Sequence, residues 1–396
     1  MHRSILSIGF LSRQPLAYTI GPMLPFSSGS FLLAPMVGIT NRAFRTLLEE
    51  LGGPDYAFTE MASAEAYISN APFESVYTDS RPRPERTSVQ FYARSAGSLA
   101  AACTKLKDNS PERLPAGVDI NFGCAAPHIR SKGGGSAWSS DPESAAELVA
   151  AARSVWPGIL SAKVRMGPDD DYDRLLAFCR RITDKGLDFL SLHPRQDGQK
   201  FKGKARHEYS LRLAKDISCP LVANGDITDA AQLAKLTSRK ELGTTWQEAG
   251  VRNQKTFVER LEEEVTDQET GAAKPGVYAA MIGREAVRRP WIFTLLRAST
   301  SAKSSRTAIH SWLAHDGSID RLAVGLRFIS LVELYLPDAW QLESARRFFS
   351  YYCEQFSFAH HIKYKTMNSS CLSTMAETFT AYFDQVPGDR YSSLAH

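Results

Sequence analysis

A TIM-type (β/α)8 barrel followed by a helical bundle is the fold that this 396-residue sequence predicts, on three observations. Between Phe31 and Phe293 eight β-rich runs recur, most of them followed by a helix-like segment, the sequence form of a repeated βα unit. From Ile319 to Phe383 aliphatic and aromatic residues fall at helical spacing, as in Leu322, Leu326, Ile329 and Leu334. A barrel takes about 250 residues, so the chain has room for an additional module.

The predicted strands are Phe31–Met36, Tyr56–Thr59, Ser88–Tyr92, Val118–Asn121, Leu160–Val164, Phe189–His193, Leu221–Asn224 and Val277–Ile282, with helical segments such as Pro142–Val155 and Tyr172–Lys185 between them. A doubly wound open sheet would place a glycine-rich phosphate turn after its first strand. Here that strand runs into Ala34-Pro35-Met36-Val37-Gly38, with no such turn. The run Gly133-Gly134-Gly135 follows the fourth strand and reads equally as a flexible loop near a ligand or as a plain turn. Residues 237–275 break the βα pattern with a charged stretch that includes Glu262-Glu263-Glu264, and read as a surface insertion with an amphipathic segment near Phe257–Val265. Ser299–Arg306, rich in Ser and Thr, reads as a linker. The expected division is a flexible segment 1–30, a barrel 31–298 and a helical domain 299–396.

Net charge is +4, which permits a polyanionic partner without requiring one. Cys103, Cys124, Cys179, Cys219, Cys353 and Cys371 form no C-x-x-C pair and no ligand-like spacing with His, which argues against a disulfide scaffold or a zinc site. No apolar stretch approaches the roughly 18 residues of a membrane span. Residues 1–30 carry Arg3, Arg13, several serines and no acidic residue, which fits a mitochondrial-type presequence as well as a disordered or wrongly assigned start. The expected protein is a monomer, cytoplasmic or mitochondrial, with no membrane partner.

Active sites of such barrels form at the C-terminal ends of the strands. Those ends carry Gln90, the run Asn121-Phe122-Gly123-Cys124, Lys163, His193-Pro194-Arg195, Asn224-Gly225-Asp226 and Gly283-Arg284. So many converging polar ends are hard to explain as structural residues alone. Phosphate often binds between the loops after strands seven and eight, where Gly225 and Gly283 allow close backbone approach and Arg284 offers a charged fork. A phosphorylated cofactor is therefore expected. A lone lysine at a strand end is usually solvated, but Lys163 beside His193 could stabilise the N1/O2 edge of a flavin. Cys124, in a glycine-bounded loop, reads equally as an accessible proton donor or a small buried filler.

These residues resemble the tRNA-dihydrouridine synthase family. The matching runs are LAPMVGITNRAFR (Leu33–Arg45), TEM (Thr59–Met61), VQFY (Val89–Tyr92), DINFGC (Asp119–Cys124), KVRMG (Lys163–Gly167), LHPR (Leu192–Arg195), ANGDI (Ala223–Ile227) and MIGR (Met281–Arg284), in matching order and spacing. The resemblance implies an FMN- and NADPH-dependent reductase of the uridine C5–C6 bond in tRNA, with a helical tRNA-binding domain. It implies FMN contacts at Gln90, Lys163, His193, Asn224, Gly225, Asp226, Gly283 and Arg284, with Pro35 and Met36 beneath the ring. Asn121 would hold the target base together with Lys163, Cys124 would be the general acid, and Arg195 with the stretch from Lys204 to His207 would lie near the base. Hydride would pass from flavin N5 to uracil C6, and the proton from Cys124 to C5. The family usually has proline directly after this cysteine, whereas here Ala125-Ala126-Pro127 follows. Two other readings use the same residues: a small-molecule flavin oxidoreductase of the dihydroorotate or dihydropyrimidine dehydrogenase type, and a catalytically inactive RNA-binding relative. The helical domain is nearly charge-balanced, with Arg346, Arg347, Lys363 and Lys365 as candidate phosphate contacts.

Overall fold

The computed structural model describes residues 24–109, 114–199, 203–236, 276–300, 312–314 and 316–394. Eight strands, β1 (Phe31–Leu33), β2 (Ala57–Ser63), β3 (Thr87–Tyr92), β4 (Gly117–Phe122), β5 (Ile159–Arg165), β6 (Phe189–His193), β7 (Leu221–Asn224) and β8 (Ala279–Ile282), form one sheet in the order β1-β8-β7-β6-β5-β4-β3-β2. All neighbours are parallel. A parallel bridge between Leu32 and Tyr56 brings β1 against the start of β2 and closes the barrel.

Strand alternation sorts the residues into two cores. Along β5, Leu160, Ala162 and Val164 pack outward against the helices, while Ile159 joins Phe26, Leu32, Tyr56, Phe58, Phe189, Val222 and Met281 in an inner plug. Above that plug the inward positions turn polar: Asp119 accepts from Gln90 Nε2 at 2.6 Å and from Ser161 Oγ at 2.5 Å. The apolar floor thus supports a polar mouth, built from the same strands two residues further on. Helices begin where an Asn or Asp follows a strand. Asn41, Asp141, Asp171 and Asp229 each cap a helix by accepting a backbone N–H.

Only β6 and β7 keep both expected bounds; β1, β2 and β8 differ from the sequence reading by two residues or more, β8 starting at Ala279 rather than Val277. β1 stops at Leu33, because Pro35 has no N–H to give to a ladder. β2 runs on to Ser63, through Glu60 and Met61. The helix Ile292–Thr300 extends into the first two residues of the expected linker, and the rest of that linker, residues 1–23 and the insertion 237–275 lie outside the described residues. Cys219 sits in the turn before Pro220 rather than within a strand or helix, and Cys371 precedes the helix Leu372–Gln385. Among the described residues no helix is long and apolar enough to cross a membrane.

The C-terminal helices Arg321–Tyr335, Asp338–Tyr352, Ala359–Met367 and Leu372–Gln385 pack around aromatic rings, with Phe328 and Phe348 stacked at 4.0 Å and Phe349 edge-on to Phe379 at 4.8 Å. The region is not purely helical, since Ile319–Asp320 pairs antiparallel with Tyr391–Ser392 and ties its two ends together. It docks on the helix Arg42–Glu50 that follows β1, along its length. Phe44 meets Phe328 and Phe348, Asn41 donates to Ser344 at 2.9 Å, and Arg327 pairs with Glu50 at 2.7 Å. Within the bundle a Cβ on Gly325 would stand 2.3 Å from Phe379 Cε1. Gly325→Val should therefore destabilise the protein by roughly 1–3 kcal/mol through overpacking, read as a lower denaturation midpoint. An unchanged midpoint would contradict this helix contact.

Candidate active site

One cavity of about 1320 Å³ opens at the C-terminal ends of the strands, lined by Pro35, Met36, Gln90, Asn121, Cys124, Lys163, His193, Arg195, His207, Asn224, Gly225, Asp226, Gly283 and Arg284. Every cofactor, base and acid candidate singled out at the strand ends is thus brought to the same place, whereas Arg346, Arg347, Lys363 and Lys365 of the C-terminal region do not line it. The volume exceeds the roughly 300–1,000 Å³ typical of a pocket for one small molecule, which leaves space for a second ring beside a cofactor.

Lys163 comes from β5 opposite Asn121 of β4. Burial pushes its ammonium down to about 8, helped by the neighbouring Arg165 and opposed by Asp119 and Cys124. Asp119 moves the other way, up to about 6, because it too is buried. His193 stands far below its ordinary value, first through burial and then through Lys163, Arg165, Arg195 and Arg284 around it. Its Nε2 accepts from Arg195 Nη1 at 3.0 Å, so the ring is neutral and its remaining proton sits on Nδ1.

Asn121 builds the loop that carries the thiol. Its Oδ1 accepts from Gly123 N at 3.1 Å and Cys124 N at 2.8 Å, while Nδ2 donates to Gln90 Oε1 at 2.9 Å and touches Met61 Sδ at 3.4 Å. Gln90 is itself anchored on Asp119, so a chain of bonds runs from the polar layer above the barrel floor to Cys124. The glycine run 133–135 completes the loop in a way neither sequence reading foresaw. Gly135 has φ +60 and a Cβ there would lie 2.4 Å from Cys124 O, while Ser136 N donates to that carbonyl at 2.9 Å. The run is a buttress behind the cysteine, made possible by the missing side chain.

Arg195 and Asp226 form one ion pair at 2.6 Å, with Arg195 only 2% exposed. Asp226 also accepts from Ala205 N at 2.7 Å and faces Arg284 at 3.9 Å, so its carboxylate orders two cations. Removing it leaves a buried guanidinium bonded to the neutral acceptors His193 Nε2 and Gly203 O, without the paired carboxylate. Asp226→Ala should cost about 3 kcal/mol, measured by urea denaturation of the cofactor-free protein; a loss below about 1 kcal/mol would mean that the pair behaves as a solvated one. His207 Nε2 donates to Gly225 O at 2.7 Å. Asn224 Nδ2 donates to Met281 O at 2.9 Å, locking β7 to β8 at the rim.

Sequence reasoning passed over Arg165, Asp197, Lys235, Arg288 and Tyr351, which also line the cavity. Arg165 was within reach, since it lies two residues beyond Lys163 and therefore on the same face of β5. Tyr351 belongs to the helix Asp338–Tyr352, so the C-terminal region forms part of the wall. Of the candidate phosphate contacts in that region, Arg346 donates to Ser369 O at 2.9 Å, Arg347 pairs with Glu343 at 3.1 Å and Lys363 with Glu354 at 3.5 Å.

The residues fit an FMN. At Gly225, with φ +112, a Cβ would stand 2.7 Å from His193 Cδ2 and 2.9 Å from Ala205 Cβ, so only glycine lets the chain turn this closely past His193 at the rim where a phosphate would sit. Beside it stand Arg284 and the neutral His193, with the half-buried Lys163 also on the lining, giving cations and donors to the mouth.

Residues 32–242, more than half of the chain, match the family model described as Dihydrouridine synthase (Dus). A protein named probable tRNA-dihydrouridine synthase 1 from Synechocystis sp. is 30% identical over 196 residues, 50% of this chain and 54% of that one. The tRNA-dihydrouridine synthase B of Pseudomonas putida is 28% identical over 264 residues, 67% of this chain and 66% of that one. The matched stretch thus spans about half the length of the first and about two thirds of the second. Morphinone reductase, a solved structure, superposes with a TM-score of 0.39 at 11% identity over 69% of this chain and 86% of that one, too loosely to inform function. The family model runs from Leu32 in β1 through β7, seven of the eight strands around this cavity, and the chain belongs to the dihydrouridine synthase family.

Proposed function

We propose that this chain reduces a uridine of tRNA to 5,6-dihydrouridine with FMN as cofactor and NADPH as electron donor. The observation that carries the reading is the convergence, in one cavity with space for more than a single small ligand, of a loop-mounted thiol, a half-buried lysine and glycines at the rim beside Arg284. Gly225, Gly283 and Arg284 would hold the FMN phosphate, Pro35 and Met36 the underside of its ring, and Gln90, Lys163, His193 and Asn224 its polar edges. When bound, FMN supplies the hydride that saturates C6 of the uracil.

The chain's own residues do the rest. The target base must leave its stack to enter the mouth, and the wall facing it is cationic. Cys124 delivers the proton to C5 from a loop fixed by Asn121 and Gly135. Lys163 stabilises the charge that develops on a base carbonyl as C6 is attacked. Asn121 spends its oxygen on the cysteine loop and keeps only the N–H now resting on Met61 Sδ, a weak acceptor, for a base carbonyl. Arg195, held by Asp226, and His207 shape the substrate side of the mouth. The C-terminal helices, which reach the cavity through Tyr351, carry the rest of the tRNA, and the protein works as a monomer.

Two measurements test this reading together. Purified protein should take up FMN and show the absorbance bands of an oxidised bound flavin, and with NADPH it should form dihydrouridine in tRNA lacking that modification. Folded protein that binds no FMN would end the proposal. Reduction of free pyrimidines but not of tRNA would move the chain to the small-molecule class.

A further inference from the structure

One buried group has no task in that scheme. Asp197 opens a single turn after β6, is 5% exposed and lines the cavity, yet neither of its carboxylate oxygens has a hydrogen-bond partner. A carboxylate withdrawn from water without donors is costly, and it can only accept. Its backbone is pinned, because Asp197 N donates to Gly167 O at 2.9 Å. Arg165 is the charged neighbour that faces it, and its place on the cavity wall lets a bound molecule supply the donor.

Arg165 fixes where along the wall that donor lies. Its stem passes Gly123, where a Cβ would stand 3.4 Å from Arg165 Cγ, and its Nη1 reaches Gln196 O at 3.5 Å. It thus spans from the residue before Cys124 to the residue before Asp197, and its guanidinium feels the charge of both. The wall presents in order a thiol, a guanidinium and a carboxylate. Around a uracil ring C5, the C4 carbonyl and N3–H follow in that same order.

Resting on the reading that a uridine is reduced here with C5 at Cys124, we propose that Asp197 determines base specificity by accepting a hydrogen bond from N3–H of the target uracil. With C5 at the thiol, the C4 carbonyl lies by the Arg165 donor and N3–H by the Asp197 acceptor. Cytosine reverses both positions, setting an amino donor against the guanidinium and a bare ring nitrogen against the carboxylate. Rejection is thereby built in alongside recognition.

The test uses the full-length, FMN-loaded protein and its Asp197→Ala and Asp197→Asn variants. Substrates are tRNA transcripts carrying uridine or N3-methyluridine, placed by ligation at the position the wild-type protein reduces. Nucleoside mass spectrometry reads reduction, anisotropy reads transcript binding, and absorbance reads FMN content. Asp197→Ala should lower kcat/KM on uridine by roughly 10- to 100-fold, with FMN content and transcript binding kept. N3-methylation should cost the wild-type protein a similar factor, and the two losses should not add: the variant should treat both substrates within about threefold. Should the alanine variant lose FMN or fold poorly, the isosteric Asp197→Asn carries the same comparison, with smaller selectivity than wild type expected. Proportional losses on both substrates, with selectivity intact, would assign Asp197 to loop structure and overturn the inference, as would unchanged kcat/KM. Wild-type protein that holds FMN yet reduces no uridine in any transcript refutes the underlying reading, a separate outcome that removes this assignment with it.

Discussion

Cys124→Ala is expected to lose dihydrouridine formation by roughly 10²- to 10⁴-fold, the range for removing a positioned general acid, while taking up FMN as the unaltered protein does. The expectation rests on how much of the fold serves this one side chain. Two backbone N–H groups of its loop are held by Asn121, which is held by Gln90, which is held by Asp119 just above the barrel floor. Gly135 gives up its side chain so that the backbone can close behind Cys124. A loop that merely connects β4 to the next helix needs none of this. Single-turnover reduction of tRNA by FMN-loaded protein, with nucleoside analysis, is the measurement. Full activity in the alanine variant would remove Cys124 from the acid role.

Lys163→Met should cost roughly 10²- to 10³-fold in the same assay, the loss seen when one preorganised electrostatic donor is removed. It also carries a pH signature. Burial holds the ammonium down to about 8, so the group is charged below that value and loses its charge as pH rises through it. The rate of the unaltered protein should fall above about pH 8, the limb should vanish in Lys163→Met, and it should move upward in Lys163→Arg. The stability effect has the opposite sense. Because the folded value lies below the unfolded one, stability from this group is present above its ordinary value of 10.5 and lost as pH falls through about 8. Cofactor-free Lys163→Met should therefore be more resistant to denaturant than the parent at pH 7, with the gap closing as pH approaches 10.5. A less stable variant at pH 7 would mean that the ammonium is better solvated than its position on β5 implies.

Barrel and mouth were legible in the sequence because a strand of period two writes both its faces into consecutive residues. β6 and β7 have the bounds expected of them, and the polar residues at the strand ends converge as the barrel rule requires. What escaped depends on tertiary approach. Nothing local distinguishes Gly135 from any glycine in a loop until Cys124 O is found against it. Asp197 looks like an ordinary turn aspartate, and only its burial without a partner sets it apart. Arg195 and Asp226 were read as belonging to different ligands, yet residues 31 apart in the chain meet because β6 and β7 are neighbours. Arg165 could have been found by applying the alternation already used for Lys163.

Nucleoside mass spectrometry of one purified tRNA, incubated with FMN-loaded protein and NADPH, tests the central claim most directly. A uridine that gains two mass units at a defined position, and does so only when NADPH is supplied, is the result expected. Bound flavin that NADPH reduces while every uridine of every tRNA offered stays unchanged would contradict it.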